Sequence, residues 1–317
     1  MTETAPTGKT VANWLVNLLA RAFTGAMLAL PYRWRVPLAG WLMARVLGPL
    51  AGYNRRARAS LALALPELPE AERRRLARAS LDNAGRAVIE SYSGPEFLAR
   101  FAGRLPEGPG MAALAEAQAA GRPVIIVSGH IGNYDVCRGT LSQAGYRVGG
   151  LYRPASNPWV NTHYVRAMGQ ISSPLFARGR QGLGEMLRFL RGGGVLALLF
   201  DQHPPSGAML RQFGRPTFTT LSVAELALKY HAPVIPIYAL RRADGLDFDL
   251  FTEAPVPHST PEAMMQALND SLERQIRAHP GQWLWAHRRW RPGDTGAGED
   301  GAGDATPPAP VGRRQRL

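Results

Sequence analysis

Cysteine is almost absent from this 317-residue chain. Cys137 stands alone, so no intramolecular disulfide can form and a cysteine-rich metal site is excluded. A reducing compartment is the expectation, and Cys137 itself reads as a small buried hydrophobe. Lysine is nearly as scarce: only Lys9 and Lys229 are lysines, so 35 of the 37 basic residues are arginine. Acidic residues are too few to balance them, and the formal net charge is +13. Codon bias toward arginine produces such a composition, and so does contact with phosphate or anionic lipid, which the planar guanidinium grips with two parallel hydrogen bonds. The charge draws the protein to an acidic surface without naming it. The arginines are scattered and no nucleic-acid module is recognisable, so no nucleic-acid partner is expected. The G-x-S-x-G elbow of serine hydrolases does not occur, although Ser128 lies near a histidine. His203 and His287 have no closely spaced companion ligands, and no catalytic metal is expected.

A long uninterrupted apolar run is also missing. The nearest approach is Trp14 to Leu30, broken by Asn17 and Arg21, at the lower limit of about seventeen residues for a spanning helix. A second apolar stretch, Val36 to Tyr53, carries Pro37, Arg45 and Pro49. Three readings compete for the first segment: a membrane anchor that spans or lies in the interface, a soluble core helix, and a signal peptide. Trp14, Trp34 and Trp41 suit interfacial placement. Arg33, Arg35, Arg55, Arg56 and Arg58 follow the segment, so a spanning helix would leave the rest of the chain in the cytoplasm, and a flat one would set these arginines against anionic head groups.

What is present is a hydrophobic content of 45%, enough for a substantial core. Residues 54–100 are helical in pattern, with a break at Pro66-Glu67-Leu68-Pro69 and a helix from Glu70 to Phe101. Gly108-Pro109-Gly110 marks a turn, and Met111 to Ala120 reads as another helix. Strands at 123–128, 147–152, 195–200, 233–240 and 246–251 then alternate with helices at 132–144, 157–168, 180–191, 219–230 and 261–278. The alternation predicts an α/β fold with a mixed, largely parallel sheet covered by helices. Ligands in such folds sit beyond the carboxyl ends of strands, where His130 and Asp201 both fall. Residues 293–317, rich in Gly, Ala, Pro and Asp before the terminal arginines, read as a disordered tail.

One segment concentrates chemistry. Val124-Ile125-Ile126-Val127-Ser128 ends in Gly129-His130-Ile131-Gly132-Asn133-Tyr134-Asp135. A histidine titrates near 6.5 (about) and can accept a proton at neutral pH, and a carboxylate beside it fixes its tautomer. On an ideal helix the offset from His130 to Asp135 puts them about 140° apart. The pair therefore works only if His130 lies on the turn before the helix, with Asp135 in its first or second turn. A pair without its own nucleophile suits activation of a substrate hydroxyl for direct attack on an acyl carbonyl. Spacing alone is a weak signal and fits better a structural histidine at a strand end beside an Asp at a helix start.

The surrounding blocks add to this. Tyr53-Asn54-Arg55-Arg56-Ala57-Arg58 leads to Leu65-Pro66-Glu67-Leu68. Downstream of the His130 block come Tyr152-Arg153-Pro154, Asn157-Pro158, Arg178-Gly179-Arg180 and Gly192-Gly193-Gly194. Phe200-Asp201-Gln202, Phe213-Gly214-Arg215-Pro216 and the ending Pro280-Gly281-Gln282-Trp283-Leu284-Trp285-Ala286-His287-Arg288-Arg289-Trp290 follow. In order and spacing, over about residues 14–291, the chain resembles the late acyltransferases of lipid A biosynthesis, the lauroyl/myristoyl transferases within the glycerolipid acyltransferase group. Those enzymes commonly have Glu where this chain has Asp135, and Asp is usual in the wider group.

The resemblance implies a glycerolipid acyltransferase-like fold, with a membrane-associating segment over residues 1–53 and an acyltransferase domain over 54–292. It implies transfer of a fatty acyl chain from an acyl carrier protein thioester, or acyl-CoA, to a hydroxyl of a lipid A precursor. No bound cofactor is involved, and the place of work is the cytoplasmic face of the bacterial inner membrane. His130 would be the general base and Asp135 its orienting partner. Asn133, Arg153, Arg178, Asp201, Gln202 and Arg215 are the expected substrate contacts, the arginines toward phosphate of the acceptor or of the carrier's phosphopantetheine. Arg153 or backbone amides are candidates for the oxyanion. The loop 201–218 is expected to cover the acyl channel. A lysophospholipid or aminolipid acceptor and a serine-type lipid hydrolase are the alternatives.

Overall fold

The computed structural model describes residues 8–204 and 206–290. The expected tail at 293–317 lies outside them. The amino-terminal half is helical: α1 (Gly8–Leu28), α2 (Tyr32–Leu42), a π-helical turn (Met43–Leu47), α3 (Gly48–Leu50), α4 (Tyr53–Ala64), α5 (Glu70–Tyr92), α6 (Gly94–Ala99) and α7 (Pro109–Ala119). The alternating half runs β1 (Val124–Ser128), α8 (Tyr134–Gln143), β2 (Val148–Tyr152), α9 (Pro158–Ile171), β3 (Leu175–Ala177), α10 (Arg180–Arg191) and β4 (Val195–Leu199). It continues with β5 (Ala208–Gln212), β6 (Arg215–Thr219), α11 (Ser222–Tyr230), β7 (Val234–Arg241), β8 (Phe248–Thr252) and α12 (Pro261–Ala278).

The main sheet has the order β3-β2-β4-β1-β7-β8. All its neighbours pair in parallel except β7 and β8. The mixed, largely parallel sheet read from the sequence is therefore present, and β1 lies inside it between β4 and β7. Every residue of β1 and β7 is buried, as strands covered on both faces require. One face carries Ile125, Val127, Leu196 and Leu198 against α4, α11, α12 and the Trp283–Trp290 cluster. The other carries Ile126, Val195 and Ile237 against α2, α6, α7 and α8.

Three elements departed from expectation. The helix expected to run from Glu70 to Phe101 ends at Tyr92, because Gly94 takes φ +40 and Pro95 follows it. β3 is too short to show a period. The loop 201–218 contains the hairpin β5–β6, whose turn is Phe213-Gly214, both with positive φ. Two consecutive positive φ values define the tight hairpin turn; a Phe in the first position hides it from sequence reading.

α1 turns a mostly polar stripe to the protein and a largely apolar surface away from it. Its buried residues are Asn17, Thr24 and Met27, one stripe at helical spacing. Asn157 Nδ2 donates to the Asn13 carbonyl at 2.7 Å on that side. Trp14, Leu15, Leu18, Leu19 and Phe23 are exposed on the rest of the surface. A soluble helix shows the opposite polarity. The window Val11–Leu28 has a mean hydropathy of 1.2, and only 17% of it is buried against the rest of the described residues, so it does not pack as a core helix here. α2 is not loosely attached: a Cβ on Gly85 of α5 would meet the Ala39 carbonyl oxygen at 2.5 Å, so glycine permits the close crossing. Buried Arg35 ties the same junction through Ser93 Oγ at 3.1 Å and an ion pair with Glu96.

Candidate active site

Strand register assembles the site. β1 and β4 run parallel and in step to the pair Ser128↔Leu199. Two residues beyond each stand His130 and Asp201, so the sheet brings them side by side. His130 Nδ1 and Asp201 Oδ1 are 2.7 Å apart. Asp201 Oδ2 accepts the His130 backbone N–H at 2.7 Å and the Trp283 indole N–H at 2.8 Å. Burial pushes the Asp201 pKa up, but the attraction of His130 and these hydrogen bonds outweigh it and hold the carboxyl well below its usual range. An ionised Asp201 can only accept, so the proton of a neutral His130 sits on Nδ1 and the Nε2 lone pair is left for other work.

His130 is thus partnered by Asp201, whereas the sequence pairing was with Asp135. The reason is local. Asn133 is the N-cap of α8, its Oδ1 accepting from the Asp135 N–H at 3.0 Å, and Asp135 enters the first helical turn facing α5. There it accepts from Ser91 Oγ at 2.9 Å and from Arg138 Nη2 at 2.9 Å, one turn further along α8. Asp135 and Arg138 form a buried ion pair on the cavity wall.

The loop carrying His130 is braced from behind. Gly132 has φ +56, and a Cβ there would lie 1.8 Å from the Ala239 carbonyl oxygen, so no other residue fits without displacing the loop. Its N–H donates to the Gln282 carbonyl at 3.2 Å, and its carbonyl accepts from Asn83 Nδ2 at 2.9 Å. The Leu284 N–H donates to the His130 carbonyl at 2.9 Å. Asn133 Nδ2 donates to Glu90 at 2.8 Å, and Glu90 takes both terminal nitrogens of Arg241, at 2.5 and 2.7 Å. Asn133, expected at the substrate, is therefore a buried capping and bracing residue away from the cavity wall.

Two residues crowd the open side of the imidazole. Gln202 Nε2 lies 3.2 Å from His130 Nε2 and 3.3 Å from His287 Nε2, and the two histidine rings meet edge-on with centroids 4.9 Å apart. Burial first, then the charge of His130, push the His287 pKa down to about 4, against a partial upward pull from Asp201. His287 is then neutral in the folded protein across a range where the unfolded chain protonates it. Its stabilising contribution is complete above about pH 6.5 and is lost as the pH falls toward 4, by at most roughly 3 kcal/mol. His287→Gln is expected to flatten the fall of the melting temperature across this window; an unchanged profile would count against the assignment.

The imidazole opens into a cavity of about 760 Å³. Its floor is the sheet, through Ile126, Ser128, Ala197, Leu199 and Ile237; Cys137, Tyr164 and Met168 supply the wall from α8 and α9. Burial raises the Cys137 thiol pKa far above its ordinary value, which keeps it an uncharged part of that wall. Tyr164 is likewise pushed up to about 12 by burial, with Asp135 adding to the rise. Arg153 and Arg178 stand exposed at the rim, and neither has an ion-pair partner among the described residues. Gln202, His203, Pro204, Ser206 and Gly207 cover one side, so the first part of the expected covering loop does lie over the cavity. Arg215 does not reach it: its Nε donates to the Leu63 carbonyl on the outside. Among the described residues no group of three or more His, Cys, Asp or Glu is placed to hold a metal ion.

Sequence reading misses Trp283, which steadies Asp201, and reads His287 only as a metal ligand without close companions. The visible signal was the density of tryptophan between Trp283 and Trp290, since those rings pack together beneath the site.

Comparison with known proteins identifies the family. The family described as bacterial lipid A biosynthesis acyltransferase matches residues 1–292. The lipid A biosynthesis lauroyltransferase of Escherichia coli K12 is 26% identical over 238 residues, 73% of this chain and 77% of that one. The phosphatidylinositol mannoside acyltransferase of Mycobacterium tuberculosis is 26% identical over 279 residues, covering 80% and 86%. Among solved structures, the 1-acyl-sn-glycerophosphate acyltransferase PlsC of Thermotoga maritima matches with a TM-score of 0.35 and 16% identity, over 78% of this chain and 96% of that chain. The chain belongs to the bacterial lipid A biosynthesis acyltransferase family and is an O-acyltransferase.

Proposed function

We propose that this protein is a membrane-associated enzyme that moves a fatty acyl chain from an acyl carrier protein thioester to a hydroxyl of a lipid A precursor, with His130 as general base. The observation that carries the reading is an imidazole whose Nδ1 is held by a buried, ionised Asp201 and whose Nε2 is presented to a largely apolar cavity. The acceptor hydroxyl would replace Gln202 at Nε2 and give up its proton there while its oxygen attacks the thioester carbonyl. The thiolate of the carrier leaves and takes a proton, and no acyl-enzyme forms. Asp201 keeps the tautomer and stabilises the imidazolium. Gln202 Nε2, 3.2 Å from His130 Nε2, suits donation to the tetrahedral oxyanion. Arg153 and Arg178 at the rim suit phosphate groups of the acceptor or of phosphopantetheine. The apolar outer face of α1 suits attachment to the cytoplasmic face of the inner membrane.

A glycolipid or lysophospholipid acceptor is the second reading, favoured by the similarity to the mannoside acyltransferase. Acyl carrier protein thioesters offered with an underacylated lipid A precursor, and separately with a lysophospholipid and a mannosylated phosphoinositide, distinguish the two. The expected product is the lipid A precursor heavier by one acyl chain. Transfer confined to another acceptor would move the protein to the second reading.

A further inference from the structure

A second groove, of about 370 Å³, opens behind the loop that carries His130. Arginines dominate its polar lining, together with Trp41 and Asp82. Most of the charge is already committed. Arg241 is held by Glu90 and Asn83, Arg242 by Asp247 and Asp249, and Asp82 by Arg86. Arg45 and Arg78 are different: both are exposed, and neither side chain has a hydrogen bond or an ion pair among the described residues. With Asp82 matched by Arg86, two positive charges face this groove without a counterion from the protein.

The approach to the groove is apolar. Trp34, Leu38 and Trp41 are exposed on α2 at helical spacing, and Arg45 continues the stripe one turn beyond Trp41. Of 22 exposed large hydrophobic residues among the described residues, 16 fall between Val11 and Leu63, so this end of the molecule concentrates the apolar surface. Tryptophans followed by guanidiniums reproduce the order of chemistries met when leaving the acyl region of a bilayer for its phosphates.

We propose that this groove binds the phosphate of an anionic membrane lipid, Arg45 and Arg78 gripping the headgroup while Trp41 rests at the acyl boundary. It is separate from the His130 cavity and rests on the membrane-associated reading above. Its inner wall includes Asn83 and Gln282, which brace Gly132, so a lipid seated here lies against the support of the catalytic loop.

The test is flotation of the full chain with vesicles of phosphatidylcholine alone and of phosphatidylcholine mixed with phosphatidylglycerol. Wild type is expected to bind the mixed vesicles more tightly. The double variant Arg45→Ala/Arg78→Ala should lose affinity for them by roughly thirtyfold, about fivefold per arginine, with its melting temperature unchanged. Arg45→Lys/Arg78→Lys should restore most of the binding. Arg188→Ala/Arg191→Ala on α10 removes the same charge elsewhere and should bind as wild type does. Unchanged binding by the first double variant, or an equal loss in the α10 variant, would overturn the proposal. Failure of wild type to bind either vesicle would overturn the membrane reading with it. Tight binding of free glycerol 3-phosphate, lost in the Arg45/Arg78 variant while vesicle binding persists, would assign the groove to a soluble phosphate compound instead.

Discussion

Asp201→Asn is expected to lower kcat roughly a thousandfold or more, with little effect on KM, in a protein that still folds. The size follows from the three donors around the carboxylate. Oδ2 accepts two hydrogen bonds, from the His130 backbone and from Trp283, and Oδ1 faces His130 Nδ1. An asparagine must put its carbonyl oxygen where two donors meet, which leaves its NH2 pointing at Nδ1. That nitrogen must then accept, the ring proton moves to Nε2, and the atom facing the cavity can no longer take a proton. Steady-state kinetics together with the imidazole nitrogen shifts of His130 check both halves: the rate should collapse and the tautomer should invert. Loss of activity with an unchanged tautomer would mean that Asp201 acts in some other way.

His130→Ala removes the proposed base itself. The expected loss in kcat lies at or above the upper end of the range for general-base catalysis, roughly ten-thousandfold. The side chain is partly exposed at the cavity wall, so its removal opens space without stranding a buried charge other than Asp201. Asp201 keeps the His130 backbone N–H and the Trp283 N–H as partners. The fold is therefore expected to survive, and residual binding of the acyl donor, measured by titration, should remain near wild type. Substantial turnover by this variant would remove His130 from the chemistry.

The sequence disclosed His130, the proposed base, but not its carboxylate partner, and the cause is physical. A strand ending in Gly129-His130 announces itself through local pattern, and so did most strands and helices of the alternating half. The contact between His130 and Asp201 depends on β1 and β4 being neighbours in register, although 71 residues separate the two side chains. Sheet order is a tertiary property and leaves no trace in spacing. Asp135 is the carboxylate nearest to His130 in this stretch of sequence, yet the N-cap at Asn133 turns it toward Ser91 and Arg138. Arg215 and Asn133 were drawn in by their blocks and turn out to serve a hairpin and a helix cap. Trp283 and His287 were legible only as part of a tryptophan-rich ending. The helical, apolar character of the amino terminus, by contrast, is legible locally, because an exposed apolar face is a one-dimensional property of helical periodicity.

A double-mutant cycle on kcat tests the central claim, that Asp201 serves the reaction through His130. Wild type, His130→Ala, Asp201→Asn and the double variant are compared in the acyl-transfer assay at matched folded fraction. If the two residues act as one unit, Asp201→Asn costs nothing further once His130 is gone, and the double variant turns over like His130→Ala alone. Losses that multiply would contradict the account, and so would a full rate in Asp201→Asn alongside a collapsed rate in Asp135→Asn.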